Sequence, residues 1–262
     1  MHSRTNTPFI SRCFLVAFLA MLLLCAGEAR AHYPWVEMAD SAPGAKNAPR
    51  IRFGWGHTFP SENFLGGDDL EESFLLSATG AKIALQPSTA TEFVAPGGLA
   101  GGTYLVAAQR KASFYTKTVD GGKRQCKNGL DNVVKCSWST MSMKGVVSLG
   151  AGKGAVDQAV GHPLEIIPLA NPARLKVGDM LPVRVLFRGK PYSGEIAALY
   201  HTLAEKKETP ADPFTTDANG WGSLRIASPG VWLLKAQHAL PFVRPEECDV
   251  ESYVATLSFT IR

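Results

Sequence analysis

The sequence predicts an all-β protein built as two antiparallel β-sandwich lobes, and three observations predict it. The chain of 262 residues carries 25 Gly and 17 Pro, while runs with helical periodicity are few, which favours a turn-rich, strand-rich body. Short apolar or alternating segments recur between turn signals, the pattern of antiparallel sandwiches. No repeat with a period of about 20–50 residues is present, so solenoids and propellers are excluded. With 45% apolar and 19% charged residues, the chain is neither disordered, coiled coil nor collagen-like. A single long apolar run excludes a polytopic membrane protein.

That run lies at the start. Arg4 and Arg12 precede Cys13 to Gly27, an apolar stretch of 15 residues, and Ala29-Arg30-Ala31 follows as an A-x-A cleavage signal. The reading is a signal peptide over residues 1–31, cut after Ala31, with export to the periplasm and no membrane span in the mature chain. The run is short for an uncleaved anchor, and Leu24 before Cys25 argues against lipidation. Removal of Arg4, Arg12, Arg30 and Glu28 takes the net charge from +4 to +2. So weak and dispersed a charge gives no footprint for nucleic acid.

The first mature lobe is expected over 32–160. Arg50 to Phe53 alternates and stops at Gly54. Phe74-Leu75-Leu76 and Lys82 to Leu85 flank Thr79-Gly80, a hairpin signal. Thr103 to Ala108 is a further strand. Residues 117–145 read as a polar, Cys-bearing insertion, and Gly145 to Gly154 as a glycine-rich loop. The second lobe is expected over 161–262, with strands at 163–168, 181–187, 195–201, 221–226, 231–236 and 253–261, punctuated by Gly178-Asp179, Gly189-Lys190-Pro191, Asn219-Gly220 and Pro229-Gly230.

Of five cysteines, Cys13 and Cys25 fall in the signal; Cys126, Cys136 and Cys248 remain in an oxidising compartment. Cys126 and Cys136 bracket an Asn128-Gly129 turn, so a local hairpin disulfide is the expected pairing, leaving Cys248 odd. A three-thiolate metal site is the alternative, although C-x-x-C spacing is absent.

The chemistry that stands out is histidine. No G-x-S-x-G, P-loop, G-x-G-x-x-G before a helix, or H-E-x-x-H occurs, and Asp68, Asp69, Glu71 and Glu72 read as a solvated acidic run. Cleavage after Ala31 makes His32 the first residue. Its α-amine and imidazole titrate near 7.7–8.0 and 6.5, so a divalent transition metal can displace both protons and be chelated by one residue. His57 follows Gly54-Trp55-Gly56, where glycines let the backbone turn and project the ring from a strand end; packing against Trp55 and Phe59 is the alternative role. His238 follows a strand, another place for a site residue. His162 and His201 read as structural or exposed. The expected metal ligands are therefore His32, His57 and His238.

The segments A-H-Y-P-W, G-H-T-F-P, G-H-P-L-E-I-I-P-L-A-N-P-A-R-L-K-V-G-D, V-R-V-L-F-R-G-K-P and T-T-D-A-N-G-W-G together resemble a bacterial exported family that includes the additional periplasmic component of energy-coupling-factor nickel/cobalt transporters (NikK-like). The second half also resembles a transthyretin-like or carboxypeptidase-regulatory sandwich, through G-K-P, T-D-x-x-G and P-G-V-W. The resemblance implies an immunoglobulin- or transthyretin-like fold and periplasmic handling of Ni2+ or Co2+, with an inner-membrane metal transporter as partner; the all-nitrogen donor set also suits Cu2+ and Zn2+. It carries over to His32, His57 and His238; the Cys126–Cys136 segment departs from the pattern. The expected activity is binding rather than catalysis. Two other readings stand beside it: a cell-envelope scaffold or carbohydrate-binding module without metal, and a copper histidine-brace oxidative enzyme, for which Tyr33, Trp35 and Trp55 would supply an aromatic substrate face.

Overall fold

Strands follow one another closely along the described residues. The computed structural model describes residues 32–38, 49–60, 63–150, 154, 156–202, 204–205 and 207–262; the expected signal segment, 1–31, lies outside them. Residues His32–Arg262 form one compact unit. The first half carries β1 (Tyr33–Met38), β2 (Arg50–Gly56), β3 (Leu70–Leu76), β4 (Lys82–Ala84), β5 (Gln86–Pro87), β6 (Glu92–Val94), β7 (Thr103–Thr118), β8 (Gly121–Lys123) and β9 (Val133–Ser148). The second carries β10 (Leu164–Pro168), β11 (Met180–Phe187), β12 (Lys190–Pro191), β13 (Glu195–His201), β14 (Thr209–Thr215), β15 (Trp221–Arg225), β16 (Gly230–Pro241) and β17 (Val250–Ile261). The fold is all-β, as the sequence predicts, with only two short 3-10 turns, Gly67–Asp69 and Pro172–Arg174, among the described residues.

Among the described residues three sheets form a layered sandwich. The central one has nine strands, β14-β13-β16-β17-β9-β7-β3-β4 with β8 on β7. It runs through both halves of the chain, because β17 pairs with β9 in parallel, from Val250 opposite Ser137 to Ser258 opposite Gly145. The break expected near residue 160 is therefore a boundary along the chain that the sheet itself crosses.

Pleat parity decides what each face of this sheet covers, since neighbours along a strand point to opposite sides. Tyr253, Ala255, Leu257 and Phe259 of β17 join Trp232, Leu234 and Ala236 of β16 in a core closed by Ile166 of β10 and Leu181, Val183 and Val185 of β11. The even residues of β17 face the other way. Thr256 Oγ1 donates to the Pro34 carbonyl at 2.8 Å and Ser258 Oγ to that of Val36 at 2.7 Å, which seats β1 on this second face. There β1 and β2 bury Val36, Ile51 and Phe53 against Val106, Ala108 and Met143. Tyr33 and Trp35 pack with Met141, Leu233 and Val254.

Two expectations are corrected. The polar 117–145 insertion is the far end of a long hairpin: β7 and β9 are 16 residues each and pair to Thr118 opposite Val133. Gly145 belongs to β9 rather than to a loop, and a Cβ there would sit 2.6 Å from Val36 Cβ. The glycine lets β1 lie against the sheet.

The disulfide joins Cys136 to Cys248, not Cys126 to Cys136, and Cys126 is free. The reason is the parallel seam. Cys136 immediately precedes Ser137, the residue opposite Val250, so Cys248 arrives beside it. The Asp249 carboxylate reinforces the corner, accepting from the Cys136 amide at 2.7 Å and from Lys127 Nζ at 2.6 Å.

The two halves are also tied by a buried ion pair. Lys144 Nζ on β9 lies 2.7 Å from Glu165 Oε1 on β10, with both side chains fully covered. Glu165 accepts in addition from the amides of Val160 at 2.6 Å and Gly161 at 3.2 Å, which fastens the connection between the halves.

Candidate functional site

The pairing of β1 with β2 brings two predicted ligands together. Tyr33 stands opposite Gly56 and Pro34 opposite Trp55. Extending that antiparallel register by one residue puts His32 opposite His57. Their ring centroids are 3.8 Å apart at an interplanar angle of 51°. Both residues are exposed, and His32 also stacks on Trp55 at 5.3 Å.

The floor of this pair is built from the central sheet. Arg110 of β7 stands opposite Met141, on the face that carries β1. Its guanidinium lies 4.8 Å from the Trp55 ring centroid, a cation–π contact, and its Nη1 donates to Ser113 Oγ at 2.9 Å. Glu208 holds the strand ends. Its Oε2 accepts from the Phe59 amide at 2.6 Å and from the Tyr33 hydroxyl at 3.1 Å, so one carboxylate pins the residue after His32 and the segment after His57.

The electrostatics favour a neutral ligand. Lost hydration against its neighbours lowers the His32 imidazole first, then the adjacent His57, then the Arg110 cation. A lowered imidazole is unprotonated over a wider pH range, the form that coordinates metal.

His238 is elsewhere. It stands opposite Tyr253 on β16, and Tyr253 points into the core beneath β10 and β11. His238 packs edge-on against Phe187 at 4.5 Å and Tyr192 at 5.1 Å. It therefore lies on the opposite face of the central sheet from His32 and His57, where it fills space between aromatic rings.

His162 and His201 are both buried. His201 Nδ1 bonds the Thr202 carbonyl at 3.0 Å and lines a cavity of about 240 Å³ with Phe59, Glu37 and Met38; neither His32 nor His57 borders it. Among the described residues no group of three or more His, Cys, Asp or Glu converges as a metal cage. The side chains on hand for a cation here are the two imidazoles of the β1–β2 end.

Arg110 and Glu208 were not singled out from the sequence. Each reaches the site through strand pairings far from it in the chain, so no local motif marks them. Trp55 enters the sequence reading as a packing partner for His57 and as part of an aromatic substrate face, not as the ring that stacks on His32.

The pattern that defines the domain of unknown function DUF4198 matches residues 29–240. The chain belongs to the DUF4198 family. No curated protein matches it. Fourteen chains of solved structures match. One is dimeric latent PorU from Porphyromonas gingivalis, at 10% identity and a TM-score of 0.21, covering 91% of this chain and 21% of that one. This DUF4198 chain thus spans about a fifth of that protein's length, and at such a score nothing about fold or function carries across. No helix among the described residues is long and apolar enough to cross a membrane.

Proposed function

We propose that this DUF4198 protein is a periplasmic binder of a divalent transition metal, Ni2+ or Co2+ with Cu2+ and Zn2+ as competitors, which captures the ion for an inner-membrane uptake transporter. Cleavage after Ala31 frees the His32 α-amine. That amine, the His32 imidazole and the His57 imidazole then supply three nitrogens. The observation that carries the reading is the 3.8 Å approach of the two exposed imidazoles. Three nitrogens leave open positions for water or for a receiving ligand, which suits exchange better than storage. His238 has no part in this donor set.

The test is calorimetric titration of the four ions into protein whose intact mass confirms a His32 start, beside a sample with one extra Ala before His32. Tight stoichiometric binding by the first and its loss in the second supports the reading. Equal binding by both removes the amine from the site. Absence of binding removes the metal and leaves the scaffold or carbohydrate-binding reading.

One observation favours a second reading. With His238 on the other face, the donors reduce to an amine and two imidazoles, the set of a copper histidine brace, and Trp55 lies beside them. Ascorbate-driven peroxide formation by the Cu2+-loaded protein separates an oxidative enzyme from a carrier.

A further inference from the structure

The third cysteine lies beside the disulfide. On one side of Cys126, the Gln125 carbonyl accepts from Thr116 Oγ1 at 2.7 Å, and Thr116 stands directly opposite Cys136 on β9. On its other side, the Lys127 amide donates to the Glu247 carbonyl at 2.9 Å, one residue before Cys248. That same carbonyl oxygen lies 3.7 Å from Cys136 Sγ. Both flanks of Cys126 are thus bonded to the immediate neighbours of the two half-cystines. Both half-cystines are fully buried, whereas Cys126 is half-buried.

The geometry points to a thiol–disulfide exchange site made of Cys126, Cys136 and Cys248, in which Cys126 displaces Cys248 from Cys136. The Cys126 thiolate attacks Cys136 Sγ, the Cys136–Cys248 bond breaks, a Cys126–Cys136 bond forms, and Cys248 leaves as a thiolate that takes up the proton Cys126 gave up. One disulfide and one thiol stand on each side, so no oxidant or reductant is consumed. Cys136 is the attacked sulfur because it shares the β7–β9 arm with Cys126, and Thr116 ties the two.

The consequence falls on the seam between the halves. The native bond spans 112 positions of sequence and clips β9 to the start of β17. The exchanged bond closes only the arm's own turn, so the 242–249 loop is released from the sheet. It carries Val243, 86% exposed, and the Asp249 that binds the Cys136 amide and Lys127. The exchange site therefore sets whether that corner is clamped or free.

Non-reducing peptide mapping tests this. The oxidised full-length mature protein is held in mildly alkaline buffer without added thiol, quenched with acid, labelled with maleimide and digested. The expected result is a Cys126–Cys136 linked peptide together with label on Cys248, both growing with time, and neither in Cys126→Ser. Label on Cys126 alone at every time point would overturn the inference. A Cys126–Cys248 link in place of Cys126–Cys136 would overturn the choice of attacked sulfur. Exchange seen only in urea would overturn it too, because that is scrambling through the unfolded chain. The Cys126→Ser protein retains Cys136–Cys248, and an unchanged Tm shows that it is folded.

Discussion

His57 is exposed and, among the described residues, its aromatic ring contact is with His32, so its removal tests chemistry with little effect on folding. Exposed substitutions of this kind stay within about 0.5 kcal/mol. His57→Ala should keep its Tm while losing at least about 10- to 100-fold in metal affinity, the span that loss of mere outer partners already covers; titration calorimetry and thermal melts read the two effects. His238→Ala should do the reverse, binding metal normally while its melting temperature falls, because it strips a ring packed between Phe187 and Tyr192. Weakened binding in that variant would mean that His238 reaches the site. The contrast also shows what the sequence could express at this scale. His32 and His57 each carry a local mark, a cleavage signal or a glycine pair. His238 ends an apolar run in the same manner, but its side of the sheet is decided by parity: Gln237, one residue earlier, shares a face with Val254, and His238 shares one with Tyr253. A strand-end rule has no access to that one-residue difference.

Among the strands, those that bury one face and leave the other less covered were the readable ones. β11 and β13 were expected at 181–187 and 195–201 and are found at Met180–Phe187 and Glu195–His201, since their apolar residues alternate between turn signals. The outer parts of β7 and β9 were missed because Thr116, Lys117 and Thr118 stand opposite Cys136, Lys135 and Val133, a polar stretch whose lysines are exposed and where no apolar pattern is needed. β1 was missed for the opposite reason: Tyr33 to Val36 are all buried, so its sequence lacks alternation. The contact between these two kinds of strand is Gly145. Alanine there meets the Val36 Cβ and Cγ1 at 2.6 and 2.7 Å, and overpacking of this sort costs about 1–3 kcal/mol. Gly145→Ala should therefore lower stability by that amount in denaturant titration. Introduced into Val36→Gly, where both the Cβ and the Cγ1 are gone, Gly145→Ala should cost less than it does in the native chain. Additive losses in the double variant would show that the two side chains do not meet. Because His32 immediately precedes β1, the single variant should also weaken the proposed metal binding.

Across the molecule, parallel pairing of β17 with β9 makes two chain halves into one sheet, a link that requires contacts over more than 100 residues and leaves no trace in local sequence. The Cys136–Cys248 bond staples that pairing over a separation of 112, and the loop-entropy account values such a crosslink at about 4–5 kcal/mol. Cys248→Ser should lower the unfolding free energy by up to that amount, read in urea. On the core side the seam holds Lys144 and Glu165, whose burial lowers the lysine while the carboxylate opposes it. Lys144→Met leaves a buried carboxylate without its cation and should cost about 3–5 kcal/mol, whereas Lys144→Met with Glu165→Leu should cost less.

His162 sits beside this pair, with both ring nitrogens buried and without a hydrogen bond. Burial first, then Lys144 and Lys82, depress it to about 4, against the pull of Glu165. The unfolded chain binds a proton at this residue near pH 6.5, where the folded protein refuses it, so falling pH favours unfolding. Its stability should decline from about pH 6.5 and lose about 3 kcal/mol by pH 4 on account of this one imidazole. His162→Leu has no proton to bind in either state, so its unfolding free energy should fall less over the same range by that amount. Equal slopes in the two proteins would mean that folded His162 takes the proton and pairs with Glu72, whose Oε1 lies 3.7 Å from Nε2.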